Sequence, residues 1–570
     1  MSTENRVLML GAIALAMCAA PVAAQDSSPF LAPQFESKAQ PLAANKSAIT
    51  SEKPTAAQLR DRAARAEKSG DWEAAFSAYC ELPIADRAVP EVREKVNAAL
   101  RRVQQLRRHR DPGFQQFVNG LAIGDAVNLF AEVTAKVPGM FADQAKATPQ
   151  QLWANGVEEL NRALANPGFQ QAFLDDPNPA KVDAFRTSLR TFWAKRIIAD
   201  ARDARASLKQ LLAAAQDTFA IRVPAALAIE FVCGACCGLD EYTVFLNPSQ
   251  PSESPEPTLD LTAYGIFLRF DNSNLFVDGV MPGSWAAFQV QQLHKGDRIA
   301  RVNGQSMDMA SPEALTDALR MSMNGSHELE LAGATGEDAT IVRLPLALPT
   351  VWHRVVGSKD GIGHIRISEF QASTVRDLDL ALAALKTQDV RAILLDLRGN
   401  RGGSFVAAVE VAKRFLPAGL IVSTQGQIGE VADRVFSSDF GMRAIDVPVV
   451  VLIDSETASA AEVVAAALRD NNQRTVRAVL VGMPTFGKGT IQYPLKLAAA
   501  DDLDDMGKPR SKSGTVRLTI ARLMAPNGKA INGVGVTPDF IVADPALQWE
   551  VALERALELI QPMRSLPPSQ

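Results

Sequence analysis

The chain has 570 residues, of which 47% are hydrophobic and 22% are charged, and its formal net charge is −5. This is an ordinary soluble globular composition, and the length allows about three or four domains. The slight acidic excess gives no footprint for nucleic-acid binding, so no nucleic-acid partner is predicted. The one dense cationic run, residues 101–110, lies in a helical-looking stretch and is interpreted as a solvated helix face.

The first 24 residues have the order of a secretory signal peptide. A charged start leads into apolar residues 7–18, and the A-x-A-like ending Val22-Ala-Ala24 comes next. Export to the periplasm or the extracellular space is therefore predicted. No stable transmembrane span is expected, because no later window reaches about eighteen uninterrupted apolar residues. The segment ending at Cys18 resembles a lipoprotein cleavage box, but Met17 stands where a small residue is expected, so lipidation stays open.

Four cysteines remain after the signal, namely Cys80, Cys233, Cys236 and Cys237. Disulfides in an oxidising compartment and buried free thiols explain them equally well. A metal or redox site is the weaker interpretation, because the chain has no second Cys-x-x-Cys pair and no His-x-x-x-His. No metal or other cofactor is predicted.

The part before residue 247 is predicted to be helical after a flexible leader at 25–55, which is rich in Ser, Pro, Ala, Gln and Lys. Residues 63–79 place small and aromatic side chains at helical spacing around a Gly-Asp turn, like one tetratricopeptide hairpin, which must pack on a later helix because it cannot bury its own face. Apolar spacing near 3.6 continues to residue 237. This gives a helical region over 56–246, which also offers a surface for self-association.

A Pro/Ser/Glu-rich linker over 247–258 precedes a segment of short alternating strands. Residues 293–304 read L-x-x-G-D-x-I-x-x-V-N-G, and residues 259–347 resemble a PDZ domain, a partly open β-barrel with helices. The resemblance implies that Gly265, Ile266 and Phe267 form the loop that holds the carboxylate of a peptide added to the sheet edge. The alternative is a PDZ-like fold kept only as a spacer.

From residue 350 to 545, strands alternate with helices. The continuous apolar runs 392–397 and 449–453 are typical of buried strands, and each is followed by a helix. This alternation predicts an α/β core with a mainly parallel sheet, and residues 546–570 form a C-terminal helix and tail. Residues 489–497 and 514–524 are predicted as further strands, joined by a polar loop.

Ser459 opens a helix after the second apolar run, and Ser459-Ala-Ala-Glu462 fits a capping box. The same place suits a nucleophile, because N–H groups at a helix N-terminus can stabilise an oxyanion. Lys488 ends a G-x-x-x-x-G-K run, but Gly489 replaces the hydroxyl residue of a phosphate-binding loop and a strand comes next, which argues against nucleotide binding. As a base, Lys488 needs its usual pKa of about 10.4 lowered by burial.

Four motifs succeed one another along the chain, at residues 239–246, 396–403, 485–492 and 526–539. Together with the PDZ signature they resemble the carboxyl-terminal processing peptidases, tail-specific serine proteases with a Ser-Lys dyad. The resemblance implies an exported serine endopeptidase that recognises exposed C-termini of proteins or peptides. The alternative is a non-catalytic PDZ adaptor on a decayed protease fold.

The resemblance also implies a role for each site residue. Ser459 matches the nucleophile, Lys488 the general base and Gln492 the residue that orients that base. The Gly402-Gly403 turn and the N–H group of Ala460 match the oxyanion hole.

Several residues depart from the family pattern or have a simpler explanation. Thr457 and Ala461 replace serines that usually flank the nucleophile, and Gly399 and Arg401 replace residues that are more often Asn and Pro. The oxyanion turn is therefore expected to be less rigid than usual. Two further acids receive structural interpretations: Asp396 pairs with Arg398 at a strand end, and Asp470 packs at a helix C-terminus.

Overall fold

The computed structural model describes residues 54–560 apart from the segments 88, 176, 249–260, 272–273, 281–284, 291, 310–311, 322, 324–325, 333–339, 346–348, 357–360, 439–445, 473–476 and 498–513. Several predicted segments lie outside the described residues. They are the signal peptide with Cys18, nearly all of the leader and of the linker, the polar loop and the C-terminal tail.

The N-terminal part of the described chain is helical, as predicted. Its helices are α1 (Ala56–Ser69), α2 (Trp72–Cys80), α3 (Ile84–Arg87), α4 (Pro90–Arg110), α5 (Pro112–Asn119), α6 (Ile123–Met140), α7 (Pro149–Leu164), α8 (Pro167–Phe173), α9 (Pro179–Thr191), α10 (Ala201–Thr218) and α11 (Pro224–Cys237). A short strand, β1 (Val244–Leu246), comes after them. No helix within the described ranges is both long and apolar enough to cross a membrane.

The first two helices form the hairpin that the sequence predicts. Gly70 ends α1 with a left-handed backbone, φ 78°, and the side chain of Asp71 then accepts a hydrogen bond from the N–H of Ala74 to begin α2. Apolar residues of both helices, including Ala63 and Phe76, pack against one face of α4. The hairpin therefore buries its apolar face on the next long helix.

The cationic run on α4 is not a solvated face throughout. Arg108 donates to Glu159 at 3.0 Å and to Glu230 at 2.9 Å, and His109 contacts Glu230 at 3.0 Å. Both glutamates are buried. The sequence interpretation was wrong for these two residues, because their partners come from α7 and α11, far away in the chain.

The PDZ-like segment forms a separate sheet of six short strands. These are β2 (Ile266–Asp271), β3 (Asn274–Val280), β4 (Arg298–Val302), β5 (Gln305–Ser306), β6 (Ser326–Leu331) and β7 (Thr340–Pro345), with helices α12 (Trp285–Gln289) and α13 (Pro312–Arg320) between them. The order is β2-β3-β4-β6-β7, with β5 on β4, and all pairs are antiparallel. Strand β2 therefore lies at an edge of the described sheet.

The remaining elements build two further sheets and four helices. The strands are β8 (Val351–Val356), β9 (Ile362–Ile367), β10 (Ala392–Asp396), β11 (Gly419–Gly426), β12 (Val435–Ser438), β13 (Val449–Ile453), β14 (Ala478–Gly482), β15 (Thr490–Lys496), β16 (Thr515–Met524) and β17 (Phe540–Ile541). The helices are α14 (Thr374–Lys386), α15 (Phe405–Phe415), α16 (Ala460–Asp470) and α17 (Pro545–Ile560).

One of these sheets has the order β17-β14-β13-β10-β9-β8 and is parallel except at the β8–β9 pair. Alternate residues of its central strands face opposite sides, as a pleated strand requires. Ile393 and Val451 pack with the helices α14–α16, whereas Leu394 and Val450 pack under α17. Both faces are covered, which explains why these strands are continuous apolar runs.

The other sheet is antiparallel, with the order β1-β16-β11-β12 and β15 paired to β16. The prediction of a mainly parallel sheet is thus correct for one sheet of the core and does not cover the second. Residues of β15 and β16 share one hydrophobic cluster with helices of the N-terminal region. The sequence does not predict the pairing of β1 with β16, because the two strands are far apart along the chain.

Candidate active site

Ser459 lies in the turn between the buried strand β13 and helix α16. Its backbone has φ 55° and ψ −117°, in the left-handed half of the map that residues other than glycine rarely occupy. Such a conformation costs about 1–3 kcal/mol and is concentrated at functional sites. The N–H of Ser459 donates to Oε2 of Glu462 at 2.8 Å, as the predicted capping box requires of the glutamate.

The turn that carries Ser459, residues 454–459, is called the serine turn below, and it is hydrogen-bonded to the turn after β10. The carboxylate of Asp454 accepts hydrogen bonds from the N–H of Gly399 at 3.0 Å and from the N–H of Thr457 at 2.9 Å. The N–H of Ala458 donates to the carbonyl of Asn400 at 2.9 Å. Although Gly399 departs from the family pattern, its backbone is therefore held from the serine side.

Gly402 and Gly403 lie directly against Ser459 and Phe370. Their φ angles are 106° and 123°, and a Cβ on Gly402 would come within 2.7 Å of the Cβ of Ser459. A Cβ on Gly403 would overlap the carbonyl oxygen of Phe370. Only glycine fits at either position.

The N–H groups at this turn differ in whether they have an acceptor. The N–H of Gly402 donates to Oδ1 of Asn400 at 2.8 Å. The N–H groups of Gly403 and Ala460 have no acceptor among the described residues. Of the three positions assigned to an oxyanion hole from the sequence, two thus present a free donor, and Gly402 supplies the shape of the turn.

Glu462 is fully buried at the centre of the site. Its carboxylate accepts hydrogen bonds from the N–H groups of Ser459, Gly487 and Lys488, each at 2.8 Å, and from the hydroxyl of Thr485. Burial raises the pKa of Glu462 from 4.5 to about 7, against these hydrogen bonds, which favour the charged form. The sequence predicted a helix cap here, but not these hydrogen bonds to residues 483–489, which are called the lysine segment below.

Lys488 lies in the segment between β14 and β15 and is only 5% exposed. The N–H of Phe486, two residues earlier, donates to the carbonyl of Thr457 at 2.9 Å, which anchors the segment to the serine turn. The ammonium nitrogen of Lys488 is 5.6 Å from the ring centre of Tyr242. The structure therefore brings the lysine segment against the serine turn, in a buried position.

Gln492 lies on β15. Its side-chain amide donates to the hydroxyl of Thr490 at 2.7 Å and lies 3.5 Å from that of Thr519. Its role in orienting Lys488 remains a prediction.

The three residues assigned to carboxylate binding lie in the PDZ-like sheet, and the serine lies at the end of a strand of the parallel sheet. Gly265 has φ 81° and precedes β2, where Ile266 is buried and Phe267 is 40% exposed. Gly265 thus leads into an edge strand, and Ile266 and Phe267 are its first two residues.

Tyr242 and Asn400 were not singled out from the sequence. Each lies inside a motif that carried the family resemblance, at residues 239–246 and 396–403, and that position is the only signal for them in the sequence. The contact of Tyr242 with Lys488 joins segments remote along the chain, so spacing could not have predicted it, whereas Asn400 accepts from Gly402 within the same turn.

Two other expectations agree with the structure. Arg398 donates to both oxygens of Asp396, at 3.0 and 2.8 Å, as a structural ion pair. Burial opposes ionisation, but Arg366 and the neighbouring donors hold the pKa of Asp396 well below its usual value. Asp470, at the end of α16, accepts from the N–H of Asn527 at 3.1 Å.

The four described cysteines are free thiols, and the three on or near the end of α11 are buried. Burial raises the pKa of the Cys233 and Cys236 thiols, which keeps them protonated and unreactive. Within the described ranges, no group of three or more His, Cys, Asp or Glu residues is placed to hold a metal ion.

Comparisons with known proteins agree with this architecture. Residues 361–542 match the model of peptidase family S41, and residues 261–332 match the PDZ domain model. The carboxyl-terminal-processing protease of Synechocystis sp. is 29% identical over 56% of this chain and 74% of its own length. The chloroplastic carboxyl-terminal-processing peptidase 1 of Arabidopsis thaliana is 34% identical over 53% of this chain and 59% of its own length.

A solved structure, the photosystem II D1 C-terminal processing protease, matches 71% of this chain and 97% of that chain at 24% identity and a TM-score of 0.34. The carboxy-terminal processing protease CtpA of Bacillus subtilis is 28% identical over 52% of this chain and 60% of its own length. The matched models show a PDZ domain followed by a serine-type peptidase core of family S41, and the curated relatives that match this chain are carboxyl-terminal processing proteases.

Proposed function

We propose that this chain is an exported endopeptidase that captures the C-terminal tail of a protein substrate in its PDZ domain and cleaves the tail with Ser459 and Lys488. The observation that carries this proposal is the position of Glu462, whose single buried carboxylate accepts hydrogen bonds from the backbone of both residues. A serine in a strained turn and a buried lysine are thereby held on one support.

In this mechanism, neutral Lys488 takes the proton from Oγ of Ser459 as that oxygen attacks the scissile carbonyl carbon. The N–H groups of Gly403 and Ala460 donate to the oxyanion of the tetrahedral intermediate. Protonated Lys488 then gives its proton to the leaving amine, which leaves an acyl-enzyme on Ser459. Water activated by Lys488 attacks the ester and releases the new C-terminus of the substrate.

Substrate capture is assigned to the edge strand β2. An extended peptide can add to this edge by backbone hydrogen bonds, with its terminal carboxylate near the Gly265-Ile266-Phe267 turn. The left-handed backbone of Gly265 turns the chain as it enters the strand.

The proposal is tested by incubating the chain from about Gln25 with an unstructured protein that ends in an apolar tail, beside the Ser459→Ala and Lys488→Ala variants. Mass spectrometry detects the fragments. We expect fragments from the unmutated chain only, and a loss of rate of at least about 10³-fold in either variant.

Cleavage that persists in both variants would contradict the dyad. The alternative, a non-catalytic PDZ adaptor, predicts no cleavage by any of the three proteins but binding of C-terminal peptides by all of them. Export is tested separately by fractionating cells that express the full chain, since removal of about 24 residues is visible by mass.

A further inference from the structure

The lysine segment has contacts with the N-terminal helical region that neither family model covers. The models match residues 261–332 and 361–542, whereas α4 and the residues just before β1 precede both matches. Arg93, in the first turn of α4, contacts two residues, Glu241 and Gly533, each of which is connected to the lysine segment.

The first connection is an ion pair. Arg93 donates to Glu241 at 3.0 Å, and the side chains of Arg93 and Glu241 are 34% and 10% exposed. The next residue, Tyr242, places its ring 5.6 Å from the nitrogen of Lys488. The pair therefore ties Arg93 to the residue that directly precedes the tyrosine whose ring faces the base.

The second connection is a contact with a glycine. The guanidinium of Arg93 lies directly on Gly533, where an added Cβ would overlap it. The N–H of Gly533 donates to the carbonyl of Gly487 at 2.7 Å. Gly487 immediately precedes Lys488. The guanidinium therefore packs on the glycine that is hydrogen-bonded to the lysine segment.

We propose that Arg93 is a positioning residue for the Lys488 base, fastening the lysine segment through Glu241 on one side and Gly533 on the other. The inference rests on the proposed function for its catalytic meaning. Arg93 itself does not touch the reacting atoms; it acts through the backbone on either side of the lysine.

The helical region offers a matched control. Arg62 pairs with Glu81 inside the hairpin of α1 and α2, and both side chains are nearly half exposed. Replacing Arg62 by glutamine removes an arginine from the same region without touching the lysine segment. Arg93→Gln removes the charge at similar size, and Arg93→Lys retains it.

Kinetics on a tail peptide give one test. We expect Arg93→Gln to lower kcat about tenfold while KM changes less than about twofold, because the base is displaced but the PDZ groove is not. Arg93→Lys should recover part of the loss, and Arg62→Gln should match the unmutated chain. Equal kcat for Arg93→Gln and Arg62→Gln would overturn the inference, even if Arg93→Gln melts at a lower temperature.

Hydrogen exchange gives a second test that needs no activity. In the Ser459→Ala background, Arg93→Gln should speed amide exchange at least about fivefold in peptides covering 484–489 and 531–535, with no change in β10 or β13. Exchange there equal to that of Arg62→Gln would contradict the inference. Absence of serine-dependent cleavage by the unmutated chain would instead count against the proposed function, and the exchange result would stand on its own.

Discussion

The backbone N–H groups of Ser459 and Lys488 donate to the same atom, Oε2 of Glu462, at 2.8 Å each. The other oxygen of that carboxylate accepts from Gly487 at 2.8 Å and from Thr485. All four partners are donors, so the ionised carboxylate is the form that satisfies them. The serine turn and the lysine segment therefore cannot shift independently while Glu462 is charged.

Replacing Glu462 by glutamine should reduce kcat/KM by about 10²-fold. A carboxamide must turn its NH₂ group toward N–H donors, which leaves buried groups without partners at a cost of about 1–3 kcal/mol each. Steady-state kinetics with Glu456→Gln as the control measure this effect, since Glu456 is an exposed acid of the same turn. Equal activity of the two variants would show that the shared carboxylate is dispensable.

The pH dependence should have opposite signs for activity and for stability. Activity should rise as pH passes about 7, where Glu462 ionises. Because its pKa in the folded chain lies above the unfolded value of 4.5, the folded state binds this proton more tightly. This group should therefore lower the free energy of unfolding by up to about 3 kcal/mol as pH rises from about 4.5 to 7.

Denaturant unfolding across this pH range, compared with Glu462→Gln, isolates that contribution. A difference between the two proteins that does not change with pH would mean that Glu462 does not titrate in this window.

Gly403→Ala should abolish measurable cleavage and lower stability by about 2–4 kcal/mol. The new Cβ overlaps the carbonyl of Phe370, and φ 123° is unfavourable for alanine. The control is Gly124→Ala, in α6, where a Cβ meets open space. We expect that control to retain full activity. Cleavage by Gly403→Ala within tenfold of the unmutated chain would remove this turn from the oxyanion hole.

The PDZ assignment predicts that peptide binding depends on a free carboxylate. In the Ser459→Ala variant, an apolar peptide should bind at least about tenfold more tightly with a free C-terminus than as its amide. Gly265→Ala should weaken binding, because φ 81° strains an alanine, whereas Gly279→Ala, where a Cβ meets open space, should not. Fluorescence anisotropy measures these affinities, and identical affinity for both peptide forms would argue for the spacer role instead.

Arg108→Met should destabilise the helical region by about 3–5 kcal/mol, because Glu159 and Glu230 would lose their main partner while buried. Arg107→Met, at the exposed neighbouring position, is the control and should change stability by less than about 0.5 kcal/mol. Chemical denaturation measures both. A small effect at Arg108 would mean that the glutamates become protonated without a large penalty.

The sequence was sufficient for the features that depend on local pattern or on motifs. The helical region, the PDZ-like sheet and the parallel sheet each result from apolar spacing and turn residues. The antiparallel sheet was not predicted, because β1 pairs with β16 across more than 200 residues of intervening chain. The prediction that Arg108 faces solvent was wrong for the same reason, since its partners lie on other helices.

The site shows the same division. Ser459 and Lys488 could be chosen because each lies in a motif, and the two-glycine turn could be chosen with them. The bridging carboxylate of Glu462 was visible only as a cap, because its second set of donors lies in a remote segment. Nothing in the sequence marks Arg93, because its contacts, with Glu241 and with the backbone of Gly533, are with residues remote along the chain.

Phe245, on the short strand before the PDZ domain, packs in one hydrophobic cluster with Leu495, Val516 and Leu518 and with many side chains of the helical region. The strands that carry Gln492 and its threonine neighbour thus share their core with helices that neither family model covers. The segment matched by the family models is for this reason not a unit that could be exchanged between proteins by itself. In this chain, the peptidase centre and its helical support have to change together, since a new helical region would have to fit the same apolar face.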